Sequence, residues 1–354
     1  MDSNRPRLVR VTSGRLDEKA ISEAALALRA GELVILPTET VYGLAADPAV
    51  PGAEDRIFAA KERDRGKPIP LLASGLEAVE RAGAVLSPGA RRLARRYWPG
   101  PLTLVLSCGG KTEGFRVPDH PIALAVLNRV GGLLRVTSAN LSGEAAPRTM
   151  EAAVAALGSR VALALDAGPA PLGVESTVVD ATGDSLAILR QGALSREAIL
   201  GKPKILFVCT GNTCRSPMAE HLFRKWIGRE SGWEARSSGV AALDGQPASA
   251  GAIQALAGIK LDLSSHRSRL LTQAHIDDAD LIVVMTQAHQ NDVWRRFSRA
   301  KGRVVLLNAF SPIHRDEDVP DPFGSKADVY RTIRDEIEAA MPDLVLHVHE
   351  LYKK

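Results

Sequence analysis

Thirteen consecutive residues, from Ile205 to Pro217, constrain the fold more than any other segment of the sequence. They read ILFVCTGNTCRSP. The apolar residues at the start predict a short buried strand that ends at Cys209. Pro217 stands at a favoured position in the first turn of a helix. The segment therefore predicts a strand, a tight loop and a helix in succession, which is typical of an α/β fold.

The loop between this strand and this helix has the residues of an anion site. Main-chain N–H groups in such a loop, with the N-terminus of the next helix, attract a phosphate group. The same field favours the thiolate form of Cys209. Arg215 can hold two phosphate oxygens at once, and Asp321 is the candidate acid for a leaving group. We predict a cysteine nucleophile here; the alternative is a small buried cysteine that only packs.

The chain has 354 residues, which is enough for two domains. Helical and strand patterns alternate on both sides of a break at Gly201-Lys202-Pro203. We predict an α/β protein with two domains. Residues 1–200 form a domain with a mixed α/β sheet, and residues 203–354 form a doubly wound, Rossmann-like parallel sheet.

Composition excludes several classes of protein. Apolar residues make up 45% of the chain and charged residues 24%, which is typical of a globular protein and not of a disordered one. Three cysteines cannot build a disulfide framework, and no apolar run is long enough to span a membrane. We expect a cytoplasmic protein with no resident metal and no membrane partner. A net charge of +4 does not by itself require nucleic acid.

Residues 203–354 resemble the low-molecular-weight protein tyrosine phosphatase family. The resemblance rests on the cysteine loop, on Ser237-Ser238-Gly239 and on Asp321-Pro322-Phe323. It implies a cysteinyl-phosphate on Cys209, formed without a cofactor, with Arg215 binding phosphate and Asp321 acting as acid and then base. The residues that it places in the phosphate loop are Thr210, Gly211, Asn212, Thr213, Cys214 and Ser216.

The identity of residue 213 divides this family by substrate. Thr213 is similar to the protein-arginine phosphatase branch, where a smaller polar residue leaves room for a guanidinium group. We therefore expect phosphoarginine in a protein as the substrate, with phosphotyrosine as the alternative. Cys214 lies five residues after Cys209, and a reversible disulfide between them is a further hypothesis.

Residues 8–200 carry seven short motifs in order, and no Walker or dinucleotide glycine motif. The motifs are PTETVYGL, KER, WPGPLTLVL, RVPDHP, TSANLSG, ESTVVD and ILRQGA. Singly, each is consistent with an ordinary turn. Together they place hydroxyls, amides and separate basic residues at strand ends, which suits a ligand with phosphates and a carboxylate.

This set resembles the YrdC-type threonylcarbamoyl-AMP synthase family. The resemblance implies that L-threonine, bicarbonate and ATP, accompanied by Mg²⁺, give threonylcarbamoyl-AMP for tRNA modification at adenosine 37. By position, the ATP-binding residues are Lys61, Arg63, Ser138, Asn140 and Arg190, and the threonine-binding residues are Thr38, Arg116 and Ser176. Asp64 stands where many relatives have proline.

A bifunctional enzyme is thus the expected function, and tRNA-modification proteins are candidate partners. One alternative is that the first domain is a double-stranded RNA or tRNA-binding module. Four arginines at helical spacing, Arg91, Arg92, Arg95 and Arg96, support it, but a solvated helix face explains them better. A low aromatic content argues against binding of single strands.

Overall fold

The computed structural model describes residues 6–10, 17–183, 185–228 and 232–352. The chain divides into two compact units on either side of the bond between Leu200 and Gly201. Each unit has its own sheet, and each is described separately below. In the described residues, no helix is both long and apolar enough to cross a membrane.

The N-terminal unit alternates strands and helices. Its strands are β1 (Arg7–Arg10), β2 (Val34–Leu36), β3 (Gly43–Ala46), β4 (Leu71–Ala73), β5 (Ala84–Val85), β6 (Leu102–Cys108), β7 (Lys111–Arg116), β8 (Leu133–Ser138), β9 (Leu163–Asp166), β10 (Thr177–Asp180) and β11 (Ala187–Arg190). Its helices are α1 (Glu18–Arg29), α2 (Ala53–Lys61), α3 (Leu76–Arg81), α4 (Pro88–Tyr97), α5 (Pro121–Val130), α6 (Met150–Leu157) and α7 (Arg196–Leu200).

The strands of this unit form one mixed sheet, as predicted. Its order is β1-β9-β2-β3-β8-β4-β7-β6-β10-β11, and β5 pairs with β6 at one side. The pairs β1–β9, β2–β9, β4–β7 and β6–β10 are parallel, and the others are antiparallel. Two of the strands begin or end in sequence motifs that suggested only loops: β3 begins at Gly43, and β7 ends at Arg116.

Helices cover both faces of the sheet around β2. Val34 and Leu36 pack with Ile21 of α1 and Val126 of α5. Ile35, which points to the other face, packs with α2 and α6. Successive side chains of a strand alternate between faces, so a continuous apolar run is what a doubly covered strand requires.

The C-terminal unit is a parallel sheet flanked by helices. Its strands are β12 (Lys204–Cys209), β13 (Glu234–Gly239), β14 (Leu281–Val284) and β15 (Val304–Leu306). Its helices are α8 (Arg215–Ile227), α9 (Ala250–Ala257), α10 (Gln273–Asp278), α11 (Gln287–Arg296), α12 (Ala327–Ala339) and α13 (Met341–Tyr352). The order is β13-β12-β14-β15, and every pair is parallel. The predicted doubly wound sheet is therefore confirmed.

The order of the strands places β12 at the topological switch point. The chain crosses from β12 to β13 on one side and later returns to β14 on the other. Phe207 packs under α8 and α12, whereas Val208 packs on the opposite face with residues of α10 and α11. Ligands of such sheets bind outside the carboxyl ends of the strands at the switch point. For β12 that end is Cys209.

A close approach of α9 to α12 generates a stability prediction. A Cβ atom at Gly251 would lie 2.4 to 2.7 Å from three ring atoms of the buried Tyr330. Gly251→Ala should therefore destabilise the C-terminal unit by about 1–3 kcal/mol, although alanine favours helix over glycine. The matched control is Gly258→Ala at the other end of α9, where a Cβ has ordinary contacts from 3.5 Å. Calorimetric unfolding midpoints should fall for the first variant and not for the second.

Candidate active sites

The loop after β12 holds Cys209 in a cavity of about 240 Å³. The thiol is buried, with 2% of its residue surface exposed. Ser216 Oγ, in the first turn of α8, lies 3.0 Å from Cys209 Sγ and can donate a hydrogen bond to it. Gly211, which the family resemblance placed in the loop, also lines this cavity. A thiolate that accepts such a bond is stabilised in the form that acts as nucleophile.

Asn212 fixes the shape of this loop. It is fully buried, and its backbone lies in the left-handed region with φ of 53°. Its side chain donates to Ser216 Oγ at 2.9 Å and accepts from the main-chain N–H of Arg269 at 2.9 Å. Its carbonyl oxygen accepts from His266 Nε2 at 2.7 Å. These three bonds compensate for a conformation that is costly for a residue other than glycine.

A glycine on the neighbouring strand makes room for the loop. Gly239 ends β13 and pairs with Cys209 in the register of the sheet. A Cβ atom there would lie 2.4 Å from the carbonyl oxygen of Thr210 and 2.8 Å from the main-chain nitrogen of Asn212. The loop can therefore occupy this position only beside a glycine. Ser237-Ser238-Gly239 was noted in the sequence, but the strand itself was not predicted.

Arg215 and Asp321 meet at the mouth of the same cavity. Arg215 Nη2 lies 2.5 Å from Asp321 Oδ2, and Arg215 Nη1 donates to the carbonyl oxygen of Val319 at 3.0 Å. The arginine side chain is 5% exposed, whereas the aspartate side chain is 48% exposed. The carboxyl group is thus open to a ligand, and the guanidinium is fixed. All three predicted catalytic residues line one cavity.

Thr213 and Cys214 are the last two residues of the loop before α8 begins. Both line the cavity with Phe323, whose side chain is largely exposed. Cys214 Sγ lies 3.2 Å from Ser249 Oγ and 3.6 Å from the hydroxyl of Tyr330. Both cysteines are free thiols. The disulfide between Cys209 and Cys214 stays a prediction.

His289 is a buried residue beside the loop that the sequence analysis did not identify. Its Nε2 lies 2.9 Å from Thr210 Oγ1, and its Nδ1 lies 2.8 Å from Thr286 Oγ1. Burial, followed by the nearby charge of Arg215, lowers the pKa of His289 to about 4. The ring is therefore neutral at pH 7 and joins the two hydroxyls. The available signal was the spacing Thr286-x-x-His289, because Thr286 caps α11 by accepting from the His289 N–H.

The N-terminal unit has a cavity of about 280 Å³ at the centre of its sheet. Six of the eight residues predicted to bind ATP or threonine line it: Thr38, Arg63, Arg116, Ser138, Ser176 and Arg190. They come from separate strands and loops of the chain. The other two, Lys61 and Asn140, do not line this cavity, and Asn140 lines a separate cavity.

Lys61 holds the end of β8 in place. Its residue surface is 1% exposed, and its ammonium donates to the carbonyl oxygens of Ser138 and Asn140 and to Asn140 Oδ1. Burial, with the charge of Arg63 nearby, lowers the pKa of Lys61 to about 8. Lys61 is thus a buried cation at pH 7, satisfied by three oxygens. In this structure it orders residues 138–140.

Two basic residues, Arg63 and Arg190, lie near each other at the lining of the cavity. Arg190 Nη1 lies 2.8 Å from Glu175 Oε1, and Arg190 Nη2 donates to the carbonyl oxygen of Ser176 at 2.9 Å. Burial and the neighbouring charge of Arg190 lower the pKa of Arg63. Ser176 Oγ also lies 2.8 Å from Thr103 Oγ1. Two guanidinium groups on one wall suit a ligand with several negative charges.

Arg116 has a buried counter-charge that the sequence analysis missed. Its Nη2 lies 2.8 Å from Glu39 Oε1, and both side chains are 8% exposed. Its Nε donates to the carbonyl oxygen of Gly100 at 3.1 Å. Glu39 lies in a turn that the hydroxyl of Thr38 closes by donating to the carbonyl oxygen of Val41 at 2.7 Å. Arg116 is therefore held rigidly at the cavity wall.

Known proteins match both halves of the chain. The Sua5_yciO_yrdC family model, described as telomere recombination, matches residues 26–192, and the model for low molecular weight phosphotyrosine protein phosphatase matches residues 204–354. A putative threonylcarbamoyl-AMP synthase of Mycobacterium tuberculosis is 39% identical over 191 residues, which cover 51% of this chain and 88% of that protein. A protein-arginine-phosphatase of Geobacillus stearothermophilus is 41% identical over 141 residues, which cover 40% of this chain and 93% of that protein.

The chain belongs to both families. Its two halves carry one family each, and the resemblances seen in the sequence are confirmed. Some synthases are longer: the chain spans 56% of the threonylcarbamoyl-AMP synthase of Bacillus subtilis, to which it is 37% identical over 194 residues that cover 52% of this chain. Among solved structures, a Sua5 variant of Pyrococcus abyssi is 26% identical, with a TM-score of 0.51, over 84% of this chain and 99% of that one.

In the described ranges, no three His, Cys, Asp or Glu side chains are grouped so that they could hold a metal ion. A metal ion bound by the phosphates of a nucleotide would enter with that nucleotide.

The buried His289 generates a pH prediction. Its pKa is about 4 in the folded protein, against 6.5 ordinarily, so between these values the unfolded chain binds more protons. The stability of the C-terminal unit should therefore fall as pH drops from 6.5 to 4, by about 3 kcal/mol from this residue. The measurement is urea unfolding of parent and His289→Gln across this range. The parent should lose more stability than the variant; parallel pH curves would contradict the prediction.

Proposed function

We propose that the chain is a bifunctional enzyme. Its N-terminal unit makes L-threonylcarbamoyl-AMP from L-threonine, bicarbonate and ATP, and its C-terminal unit removes phosphate from phosphoarginine in proteins. The relatives carry these two activities in their names. None of those cited is a nucleic-acid-binding module, so the alternative for the first domain has no support from them.

For the synthase, the observation that carries the proposal is the gathering of six predicted residues around one cavity. Arg63 and Arg190 would bind the phosphates of ATP, which enters with Mg²⁺ as substrate, and Ser138 at the end of β8 would contact the nucleotide. Arg116 would bind the carboxylate of threonine through N–H groups that Gly100 and Glu39 do not use. The unit acts by positioning its substrates and by stabilising charge.

The phosphatase reaction follows from the geometry around Cys209. The thiolate attacks phosphorus, the bond from phosphorus to the leaving nitrogen breaks, and Asp321 gives that nitrogen a proton. Arg215 and the main-chain N–H groups hold the phosphate oxygens throughout. Asp321 then takes a proton from water, whose oxygen attacks the cysteinyl-phosphate and releases phosphate and the free thiolate. The single observation that carries this reaction is the convergence of Cys209, Arg215 and Asp321 on one cavity.

Release of pyrophosphate tests the synthase. The full chain should release pyrophosphate from ATP only when both threonine and bicarbonate are present. Arg190→Gln should lower kcat/KM for ATP by about 100-fold, because it removes charge-assisted hydrogen bonds. The matched control is Arg196→Gln on α7, an exposed arginine that does not line the cavity. Pyrophosphate release that is the same without threonine would refute the assignment.

Comparison of two substrates tests the phosphatase. kcat/KM should be higher for phosphoarginine than for phosphotyrosine, with Cys209→Ser as the inactive reference. Thr213→Ile narrows the cavity at the loop and should lower the ratio of the two values by about tenfold, a difference of about 1.4 kcal/mol. If the parent prefers phosphotyrosine, the chemistry of Cys209 stands and the role given to Thr213 fails.

A further inference from the structure

The C-terminal unit has a second polar cavity, of about 500 Å³, that shares no lining residue with the cavity around Cys209. It lies among α8, β13 and the segment before residue 270. Four arginines and two histidines line it, and Glu220 is its one acidic residue. The four arginines and two histidines are Arg224, Arg236, Arg267, Arg269, His221 and His266.

The one carboxylate of this cavity is already engaged. Glu220 is buried, its Oε2 accepts from Ser237 Oγ at 2.6 Å, and its Oε1 lies 2.5 Å from Arg224 Nη2. At the rim, Arg236 Nη2 lies 3.5 Å from Glu234 Oε2, and both side chains are about half exposed. Glu220 and Glu234 thus neutralise at most two of the four guanidinium groups.

Two arginines of the cavity remain without a carboxylate. In the described part of the chain, no acidic side chain lies within 4 Å of the guanidinium of Arg267 or of Arg269. Arg267 donates to the carbonyl oxygens of Ser264 and His266, which are neutral. All four arginine residues are exposed, so a dissolved anion can reach their guanidinium groups, and a cluster of like charges attracts it.

We propose that this cavity is a binding site for a phosphate group. Guanidinium forks match the oxygens of phosphate in pairs, and a single-atom anion such as chloride cannot form such a pair of bonds. The arginines come from three elements that are separate in sequence, so folding itself assembles the site. Binding of phosphate here is independent of the catalytic activity proposed for Cys209.

Two residues of this basic cavity also contact the loop after β12, residues 210–214, which we call the nucleophile loop. His266 Nε2 donates to the carbonyl oxygen of Asn212, and the Arg269 N–H donates to the Asn212 side chain. Asn212 donates to Ser216, which contacts Cys209 Sγ. A ligand that shifts His266 or Arg269 therefore acts on the nucleophile through this chain of hydrogen bonds. This second claim rests on the proposed phosphatase function.

Calorimetric titration with inorganic phosphate tests the binding site. The full chain is used with Arg215→Ala, which weakens phosphate binding at the nucleophile loop. Any binding that remains at this loop or in the N-terminal unit is the same in all variants. Adding Arg236→Gln and Arg267→Gln should weaken the remaining binding by about tenfold or more. The control pair, Arg295→Gln and Arg331→Gln, removes two exposed arginines outside the cavity. Identical isotherms for the two pairs would overturn the proposal.

Two further measurements test whether the loss of binding is specific and which ligand the cavity prefers. Arg236→Lys with Arg267→Lys keeps both charges and should restore part of the binding, whereas a variant that is merely misfolded would not respond to such a change. A peptide with one phosphoserine is then compared with inorganic phosphate. Tighter, cavity-dependent binding of the peptide identifies a phosphorylated polypeptide as the ligand; equal or weaker binding identifies free phosphate.

Kinetics with Arg215 intact test the coupling to the nucleophile. Inorganic phosphate at the nucleophile loop competes with para-nitrophenyl phosphate and raises KM alone. Phosphate in the second cavity should in addition change kcat by about twofold or more, and Arg236→Gln with Arg267→Gln should abolish that change. A kcat that is independent of phosphate would overturn the coupling, while calorimetry alone decides the binding site.

Discussion

Three hydrogen bonds hold Asn212 in the left-handed backbone region, and the geometry of the nucleophile loop follows from them. A left-handed residue in the middle of the loop reverses the chain within a few positions. The reversal lets β12 deliver Cys209 and lets α8 begin six residues later with Arg215. Without the buried donors and acceptors around Asn212, a non-glycine residue would not keep this conformation. The loop is thus maintained by its surroundings as much as by its own sequence.

In the N-terminal unit, a buried cation fixes the backbone beside the cavity. Lys61 orders the end of β8 by donating to three oxygens, and its lowered pKa records the cost of placing a charge away from water. Arg116 is held in the same way between Gly100 and Glu39. Charges that are already desolvated and fixed interact more strongly with an incoming anion than mobile surface charges do.

Local patterns predicted the fold class, and most of the site residues that they suggested line the two candidate cavities. The apolar run at β12 was identified because both faces of this strand are covered, which leaves a simple signal in the sequence. β7 and β13 were missed because they carry charged residues, such as Glu113 and Arg236, which interrupt the apolar pattern of a strand. Their position is set by pairing with neighbouring strands, and pairing is not visible in one segment of sequence.

The sequence identified candidate site residues that are charged or that stand in a recognisable motif. It did not identify residues whose role is to hold another side chain in place. Glu39 and His289 each stand in a run of residues that is explained locally, by a turn and by a helix cap. Their importance arises only when distant segments meet: Glu39 with Arg116, and His289 with Thr210. The basic cavity has the same origin, because its arginines are spread over more than forty residues of the chain.

Asp321 is followed by Pro322, and this order has a consequence for the speed of the chemistry. A residue before proline is excluded from most of the helical region, so the backbone of the aspartate has few conformations to lose. The carboxyl group also rests against a buried guanidinium before any ligand arrives. Little conformational entropy then remains to be lost on the way to the transition state, because the proposed acid is held in place by Pro322 and by its contact with Arg215.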